Sequence, residues 1–232
     1  DVEGTGLGLF FGPRSIALIN DNQLLVTDTG NHRMQLLDRD GNFLQQVGGF
    51  GNLLGQMNEP VGLAQGSNGS IYLTDTWNSR VQEFSPDLFA LNEWPVDAWN
   101  GTSINNKPYV ALDSAGRIYV TDPEGFRVLI FNPDGTYLAR FGTFGTGISN
   151  LGLPNGIAID RNDFVYIADS GNNRILKFAP VFGPVIGLDD ETLPEEAISE
   201  EEDNGQDSEE ENGAASSANE DLPTAAAPSN KD

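Results

Sequence analysis

Four aspartates in this chain are each followed five positions later by an arginine, and subtracting the aspartate positions (28, 75, 122 and 169) gives a period of 47. A ring of carboxylates and guanidiniums could form a functional site. Because every copy carries the pair, we expect a structural role instead, in which the aspartate accepts hydrogen bonds from backbone N–H groups two and three residues on. The arginine would pair with it or with a neighbouring unit. The pairs are Asp28 with Arg33, Asp75 with Arg80, Asp122 with Arg127, and Asp169 with Arg174.

Metal and nucleophile chemistry have less support in the sequence. The chain has no cysteine, and His32 is the only histidine, in a turn that we expect to face solvent. Asp113 and Asp160 end the first strands of the third and fourth units, but each precedes a turn, where capping is the default role. Calcium needs six to eight oxygen ligands, and no compact ligand cluster occurs. We therefore expect no cofactor, with Ca²⁺ at Asp113 and Asp160 as the alternative.

Aromatic residues at loop positions suggest a binding surface where the units differ from one another. All three tryptophans fall in the second unit, and a Pro-Glu-Gly-Phe turn replaces the usual asparagine turn in the third. Such residues can form a platform for a protein or for sugar rings, or can pack between units. The candidate binding residues are Trp77, Phe126, Glu124 and Trp99, of which Trp77 and Phe126 are the best candidates for exposure.

The elements that would position these residues are short β-strands. Each unit holds runs of β-branched and aromatic residues between Gly, Asn, Asp and Pro turns, and helical periodicity is missing. Four short antiparallel strands repeated at a period in the forties predict an all-β fold, a β-propeller with four-stranded blades. A solenoid is the alternative, although its units are usually shorter. The fourth unit ends in a Pro-rich stretch, so we expect its outer strand to be degraded or absent.

Composition divides the chain into a body and an acidic tail. Residues 187–232 hold 16 of the 35 acidic residues and one lysine, which gives about −15 of the net charge of −23. With no aromatic residue, this segment is expected to be disordered. The acidic body, with 11 scattered bases, argues against nucleic-acid binding, and no apolar run is long enough to span a membrane. We assign residues 1–12 to the end of a preceding blade, 13–186 to the propeller and 187–232 to the tail, with blades at about 13–59, 60–107, 108–153 and 154–186.

The repeated pattern closely resembles the NHL repeat family. In the fourth unit it runs through Pro154-Asn155-Gly156-Ile157, Val165-Tyr166-Ile167-Ala168-Asp169 and Asn172-Asn173-Arg174-Ile175, and the likeness covers residues 13 to about 180. The resemblance implies a propeller that is mostly six-bladed in this family, so that the four units would be part of a six-bladed parent. Family members serve as protein-binding or RNA-binding modules and sensor ectodomains, and a few are lyases or hydrolases. The amidating lyases among them rely on several histidines, which this chain lacks.

A second resemblance concerns the middle of the chain. The segments at Trp94-Pro95-Val96, Trp99-Asn100-Gly101, Asn106-Lys107-Pro108-Tyr109 and Asp122-Pro123-Glu124-Gly125 are similar to the propeller at the C-terminus of some bacterial multi-span membrane proteins of the glycosyltransferase and flippase-associated kind. This implies an extracellular or cell-surface location for the propeller, with the cytoplasm as the alternative.

These observations favour a non-catalytic binding module for a protein or glycan partner, monomeric and exposed on a larger cell-surface or membrane protein. The rival interpretation is a propeller enzyme, a lyase or metal-dependent hydrolase, that uses Asp113 and Asp160 at the mouth of the central channel.

Overall fold

The computed structural model describes residues 4–20, 22–100 and 106–182, and these form an all-β fold. The chain divides into two units, residues 1–186 and 187–232. The described residues all lie in the first unit and form four antiparallel sheets, each a blade of a propeller. The predicted fold class is thereby confirmed, whereas the predicted acidic tail lies outside the described residues.

Within each blade the strands follow one another in chain order from the inner to the outer edge. Blade one consists of β1 (Ser15–Ile19), β2 (Gln23–Asp28), β3 (Arg33–Asp38) and β4 (Phe43–Gly48). Blade two consists of β5 (Pro60–Gln65), β6 (Ile71–Asp75), β7 (Arg80–Phe84) and β8 (Ala90–Pro95). Blade three consists of β9 (Val110–Leu112), β10 (Ile118–Asp122), β11 (Arg127–Phe131) and β12 (Tyr137–Phe141). Blade four consists of β13 (Pro154–Ile159), β14 (Val165–Asp169) and β15 (Arg174–Phe178).

Short single-turn helices of the 3-10 type complete the secondary structure. Three of them separate the second and third strands of blades one, two and four, at Thr29–Asn31, Thr76–Asn78 and Ser170–Asn172. The residue after each has a left-handed backbone, with φ of 54° at His32, 50° at Ser79 and 52° at Asn173. The other, Asp97–Trp99, follows blade two and has no counterpart at the described ends of the other blades.

The cores lie between blades, because both faces of a central blade are apolar. Leu25 and Met34 of blade one pack with Leu73 and Phe84 of blade two, and all four side chains are fully buried. Equivalent clusters fill the junction between blades two and three and the junction between blades three and four. Burial of such side chains contributes about 1.5–3 kcal/mol each, so the stacking of blades is the main source of stability.

Threonines in the second strands also link successive blades. Thr27 Oγ1 donates to the Val61 carbonyl and Thr74 Oγ1 donates to the Pro108 carbonyl, both over 2.9 Å and both buried. In blade four the corresponding residue is Ala168, which has no such donor.

The outward faces of the first and last blades remain partly exposed. Ile16 and Leu18 of β1 and Ile175 of β15 are each more than half exposed. Blade four has three strands among the described residues. No helix in the described part of the chain is long and apolar enough to cross a membrane.

Candidate binding site between blades two and three

The Asp75–Arg80 pair shows what the repeated residues do. Arg80 Nε donates to Asp75 Oδ2 over 2.8 Å, and its two terminal nitrogens donate to the backbone carbonyls of the connector, the segment that leads from blade one into blade two. Asp75 Oδ1 accepts the Asn58 N–H from the same connector. The pair therefore clamps the incoming connector onto the blade. The carbonyls that accept from Arg80 belong to Asn52, Leu53 and Gln56.

Blades one and four repeat this clamp at the same sequence offsets. Arg33 donates to the carbonyls of residues 5, 6 and 9, and Arg174 to those of residues 146, 147 and 150. Residues 5–9 thus occupy the place of a connector, in front of blade one. We expected each aspartate to accept the N–H groups two and three residues after it, and this is wrong for these blades. The Oδ1 atom instead accepts a connector N–H that lies 17 residues before the aspartate.

The burial of the pair decides in which direction the pKa of its carboxyl shifts. In blade two, which is covered on both sides, burial raises the pKa of Asp75 despite its hydrogen bonds. In blade four, burial would likewise raise the pKa of Asp169, but hydrogen bonds from Asn172, two connector N–H groups and Arg174 outweigh it and lower the pKa. The open side of blade four accounts for the difference, since Arg174 is more exposed than Arg80.

Blade three departs from this arrangement. Asp122 still pairs with Arg127 Nε over 2.7 Å, but Oδ1 accepts the Gly125 N–H of its own turn, three residues on. Gly125 stands where the other blades have asparagine, and a side chain there would collide with the Asp122 carboxylate. The connector before this blade contains the Asp97–Trp99 turn, and no described residue accepts a hydrogen bond from the terminal nitrogens of Arg127.

Trp77 lies at the rim of a pocket beside this departure, the Trp77 pocket, of about 500 Å³. Its side chain is 40% exposed, and the Lys107 ammonium lies 4.4 Å from the ring centroid. Lys107 is itself buried and donates to Glu59 over 3.0 Å. Burial would raise the pKa of the Glu59 carboxyl, but hydrogen bonds from Lys107 and Trp77 outweigh it and hold the pKa below its usual range. These contacts fix the orientation of the indole. The other lining residues are Asn52, Asn78, Ser79, Arg80, Glu93, Trp94, Pro95 and Asn100.

Phe126 and Glu124 lie in the matching turn of blade three. Phe126 has a left-handed backbone (φ 55°) and packs against Phe144, with 4.7 Å between ring centroids. Glu124 is exposed and accepts a hydrogen bond from Asn106. Because second-to-third-strand turns all lie at the connector end of the blades, Trp77, Glu124 and Phe126 share one end of the propeller.

Trp99 does not belong to a surface. It is 1% exposed, packs among Tyr72, Val96 and Val110, and donates from Nε1 to the Thr121 carbonyl over 3.1 Å. The prediction that Trp99 contacts a partner is therefore corrected: the side chain fills the junction of blades two and three. Trp94 is also buried there.

Asp113 and Asp160 act as turn caps. Asp113 Oδ1 accepts the N–H groups of Ala115 and Arg117, and Oδ2 accepts from Arg117 Nε and the Tyr119 hydroxyl. Asp160 makes the same kind of contacts, with N–H groups of its turn and the Tyr166 hydroxyl. A cation would have to displace these donors. Among the residues that the structure describes, no three acidic or histidine side chains are grouped to hold a metal ion.

His32 also has a structural contact. Its Nδ1 accepts the Glu59 N–H over 3.0 Å, and its ring meets Phe50 edge-on at 5.0 Å. The sequence predicted a solvent-facing His32, and the structure corrects this because the side chain is half-buried.

The cap at Asp160 gives a prediction for acid stability. Burial would raise its pKa, but hydrogen bonds from Asn162, Phe164 and Tyr166 outweigh it and lower the pKa below the value of about 4 expected in the unfolded chain. The ionised form therefore stabilises the fold above about pH 4, and this stabilisation is lost as the pH falls through the folded pKa. Asp160→Asn keeps an acceptor oxygen but does not titrate. We expect its urea-unfolding midpoint to fall less steeply than that of the wild type between pH 5 and 3, and equal slopes would contradict this assignment.

Comparison with known proteins agrees with the fold. The NHL repeat family model matches residues 10–35, 57–84 and 151–178. A 52-residue segment is 38% identical to RING finger protein nhl-1 of Caenorhabditis elegans. The matched segment covers 22% of this chain and 5% of that protein. Among solved structures, a streptogramin B lyase superposes with a TM-score of 0.55 at 19% identity, over 72% of this chain and 51% of that one. The WD40 propeller domain of Doa1 superposes with a TM-score of 0.51 at 13% identity, over 72% of this chain and 49% of that one.

The fold defines a β-propeller in which an Asp–Arg clamp holds the connectors of blades one, two and four. The three segments that match the NHL repeat model lie in blades one, two and four. Blade three, outside the matched segments, is the blade whose turn and connector depart from the pattern. The chain spans about half the length of the two solved structures, which share its fold and include both an enzyme and a WD40 domain.

Proposed function

We propose that this propeller is a non-catalytic binding module for a protein partner, and that the partner engages the Trp77 pocket. The observation that carries the proposal is the exposed indole of Trp77, held by the buried Lys107 and by Glu59. Tryptophan is enriched among the residues that dominate interface energies, and an orientation fixed before binding reduces the entropy lost on association.

Exposed apolar side chains around the connectors support a protein partner. The three described connectors place Leu7, Leu54 and Ile148 at equivalent positions, and these are between 46% and 88% exposed. Phe50 and Phe144 are exposed on the same segments. Apolar groups that recur at one end of a fold indicate a surface that contacts another macromolecule. A glycan, which would stack on Trp77 alone, is the alternative partner.

The proposal is tested with Trp77→Ala and Phe126→Ala. Proteins cross-linked to a photoreactive residue at Asn100, on the rim of the pocket, are identified and then titrated against each variant. We expect Trp77→Ala to weaken binding about 30-fold, the equivalent of about 2 kcal/mol, and Phe126→Ala to weaken it less because Phe126 rests on Phe144. Phe89→Ala is the matched control, since Phe89 is an exposed aromatic residue in a turn at the opposite end of blade two.

Unchanged affinity in Trp77→Ala would remove this pocket from the binding surface. If a glycan array, rather than a protein, gives the signal that Trp77→Ala abolishes, the partner class is glycan. Stoichiometric metal in the purified chain, lost on Asp160→Asn, would favour the enzyme interpretation.

The wider setting of the module is part of the same proposal. A six-bladed parent is supported by the exposed outward faces of blades one and four, at Ile16, Leu18 and Ile175, which further blades would cover. A cell-surface location, which the sequence resemblance implies, and a monomeric chain are predictions from the sequence.

A further inference from the structure

A second cleft lies on the other side of Pro95, between blades two and three at their outer edge. It has a volume of about 280 Å³ and contains two arginines, Arg127 and Arg140, in a chain whose net charge is −23. Leu129, Phe131 and Tyr137 form its apolar floor, and Asp97 also lines it. We call it the arginine cleft.

Both arginines line the cleft because blade three has an arginine where blades one and two have a hydrogen-bond acceptor. In blade one, Arg33 Nη1 donates to Gln46, and in blade two, Arg80 Nη1 donates to Glu93. These partners lie on the outer strand, opposite Gln35 and Gln82 of the third strand. The equivalent pair in blade three is Leu129 opposite Arg140. The neutral or acidic acceptor has thus become a second guanidinium, and the polar residue beside it has become leucine.

Within the described residues, both guanidiniums keep N–H groups that donate to no acceptor. Arg127 binds Asp122 through Nε alone, and its side chain is 27% exposed. Over residues 4–20, 22–100 and 106–182, nothing accepts a hydrogen bond from its terminal nitrogens, and nothing pairs with Arg140. Asp97 forms no ion pair with either arginine within those ranges, so the cleft keeps a net positive charge. In blades one, two and four the same nitrogens are bound to connector carbonyls.

We propose that the arginine cleft binds a carboxylate of an acidic segment in the protein partner. The planar guanidinium of Arg127, anchored through Nε, presents its remaining N–H groups in the forked geometry that suits a carboxylate. Arg140 supplies a second set of donors, and the floor of Leu129, Phe131 and Tyr137 fits an apolar side chain next to the acidic one. The proposal rests on the proposed function, because it assigns the chemistry of the partner that the Trp77 pocket engages.

The test uses short peptides, so that it does not depend on identifying the partner. A fluorescein-labelled octapeptide with the central sequence Glu-Leu-Glu-Phe is titrated by anisotropy against the wild-type chain, beside the same peptide with Gln for Glu. We expect binding of the Glu peptide to weaken about tenfold in Arg127→Gln and in Arg140→Gln, the loss expected for a charge-assisted hydrogen bond, and to weaken with added salt.

Three further variants sharpen the test. Arg140→Glu places a carboxylate where blade two has Glu93, and we expect this carboxylate to form an ion pair with Arg127. Peptide binding should then be abolished, while the melting temperature should not fall. Asp97→Asn removes the carboxylate that lines the cleft and is expected to tighten binding. Arg161→Gln removes the same charge from an exposed turn of blade four and is expected to change nothing.

Equal binding of the Glu and Gln peptides, an equal loss in Arg161→Gln, or tight binding retained by Arg140→Glu would overturn the proposal. Stronger binding of a phosphoserine peptide or of inorganic phosphate would replace carboxylate by phosphate and overturn the assigned ligand. Because Arg140 is exposed, a folding defect in Arg127→Gln leaves the test intact. A Trp77-dependent partner that is indifferent to both arginines would refute this inference and leave the proposed function standing.

Discussion

Replacing Arg80 by glutamine is expected to reduce the free energy of unfolding by about 3–5 kcal/mol, the usual cost of removing one partner of a buried ion pair. Asp75 is fully buried, and the substitution leaves its carboxylate without the guanidinium. It also releases three connector carbonyls, which then lack their donors. Urea unfolding at pH 7 measures the loss as a fall in the midpoint.

Arg127→Gln is the matched control for this prediction. Arg127 occupies the same repeat position and makes the same Nε contact with its aspartate, but it holds no described connector carbonyl and is more exposed. We expect a cost of about 1 kcal/mol, in the range of a single net hydrogen bond. Equal losses of unfolding free energy at positions 80 and 127 would show that the connector contacts do not stabilise the fold.

Arg80→Lys separates charge from geometry. The ammonium keeps the positive charge beside Asp75, but it cannot reach Asp75, Glu93 and the connector at once, as the fork of Arg80 does. An intermediate loss is expected. A lysine variant as stable as the wild type would assign the whole effect to charge.

Much of the fold could be predicted because the repeat reports on positions that every blade needs. The 47-residue period, the strand order and the place of each hairpin all follow from residues that recur in register. The hydrogen-bond partners of the aspartates did not follow. Their N–H donors lie in the preceding connector, and no local pattern distinguishes such a donor from one in the same turn.

The candidate site could be predicted only in part, since its features come from contacts between blades. Trp77 was identifiable because it breaks the repeat in a turn. The arginine cleft was not, because all four Asp–Arg pairs look alike when read alone. The available signal was 13 positions further on, where Gln46 and Glu93 in two blades correspond to Arg140 in the third. Its meaning depends on strand pairing that brings that position beside the repeated arginine.

Trp99 was misjudged for the opposite reason. It stands in a stretch of proline, asparagine and glycine that is typical of an exposed loop. In the structure the Asp97–Trp99 turn folds the indole inward, into the junction between blades two and three. Burial therefore followed from the path of an atypical connector, which a comparison with the other units could not supply.

That placement makes Trp99→Ala the second substitution with a large expected effect. The side chain is 1% exposed and belongs to a core with Tyr72, Val81 and Val120. Truncation would remove the buried indole and leave a cavity between two blades, for which losses of about 3–5 kcal/mol are usual. We expect a markedly lower melting temperature, measured by circular dichroism, and a chain that exposes apolar surface to a fluorescent dye at the junction.

Trp99→Phe distinguishes the structural role from a binding role. It keeps most of the apolar volume and removes the hydrogen bond from Nε1 to the Thr121 carbonyl, which is buried and would be left without its donor. A loss of about 1–3 kcal/mol is expected, with unchanged affinity for any ligand of the Trp77 pocket. If Trp99→Phe instead kept full stability but lost binding, Trp99 would be a contact residue, and the connector of blade three would have to open to present it. Because the same connector forms one wall of the arginine cleft at Asp97, such an opening would also change peptide binding there.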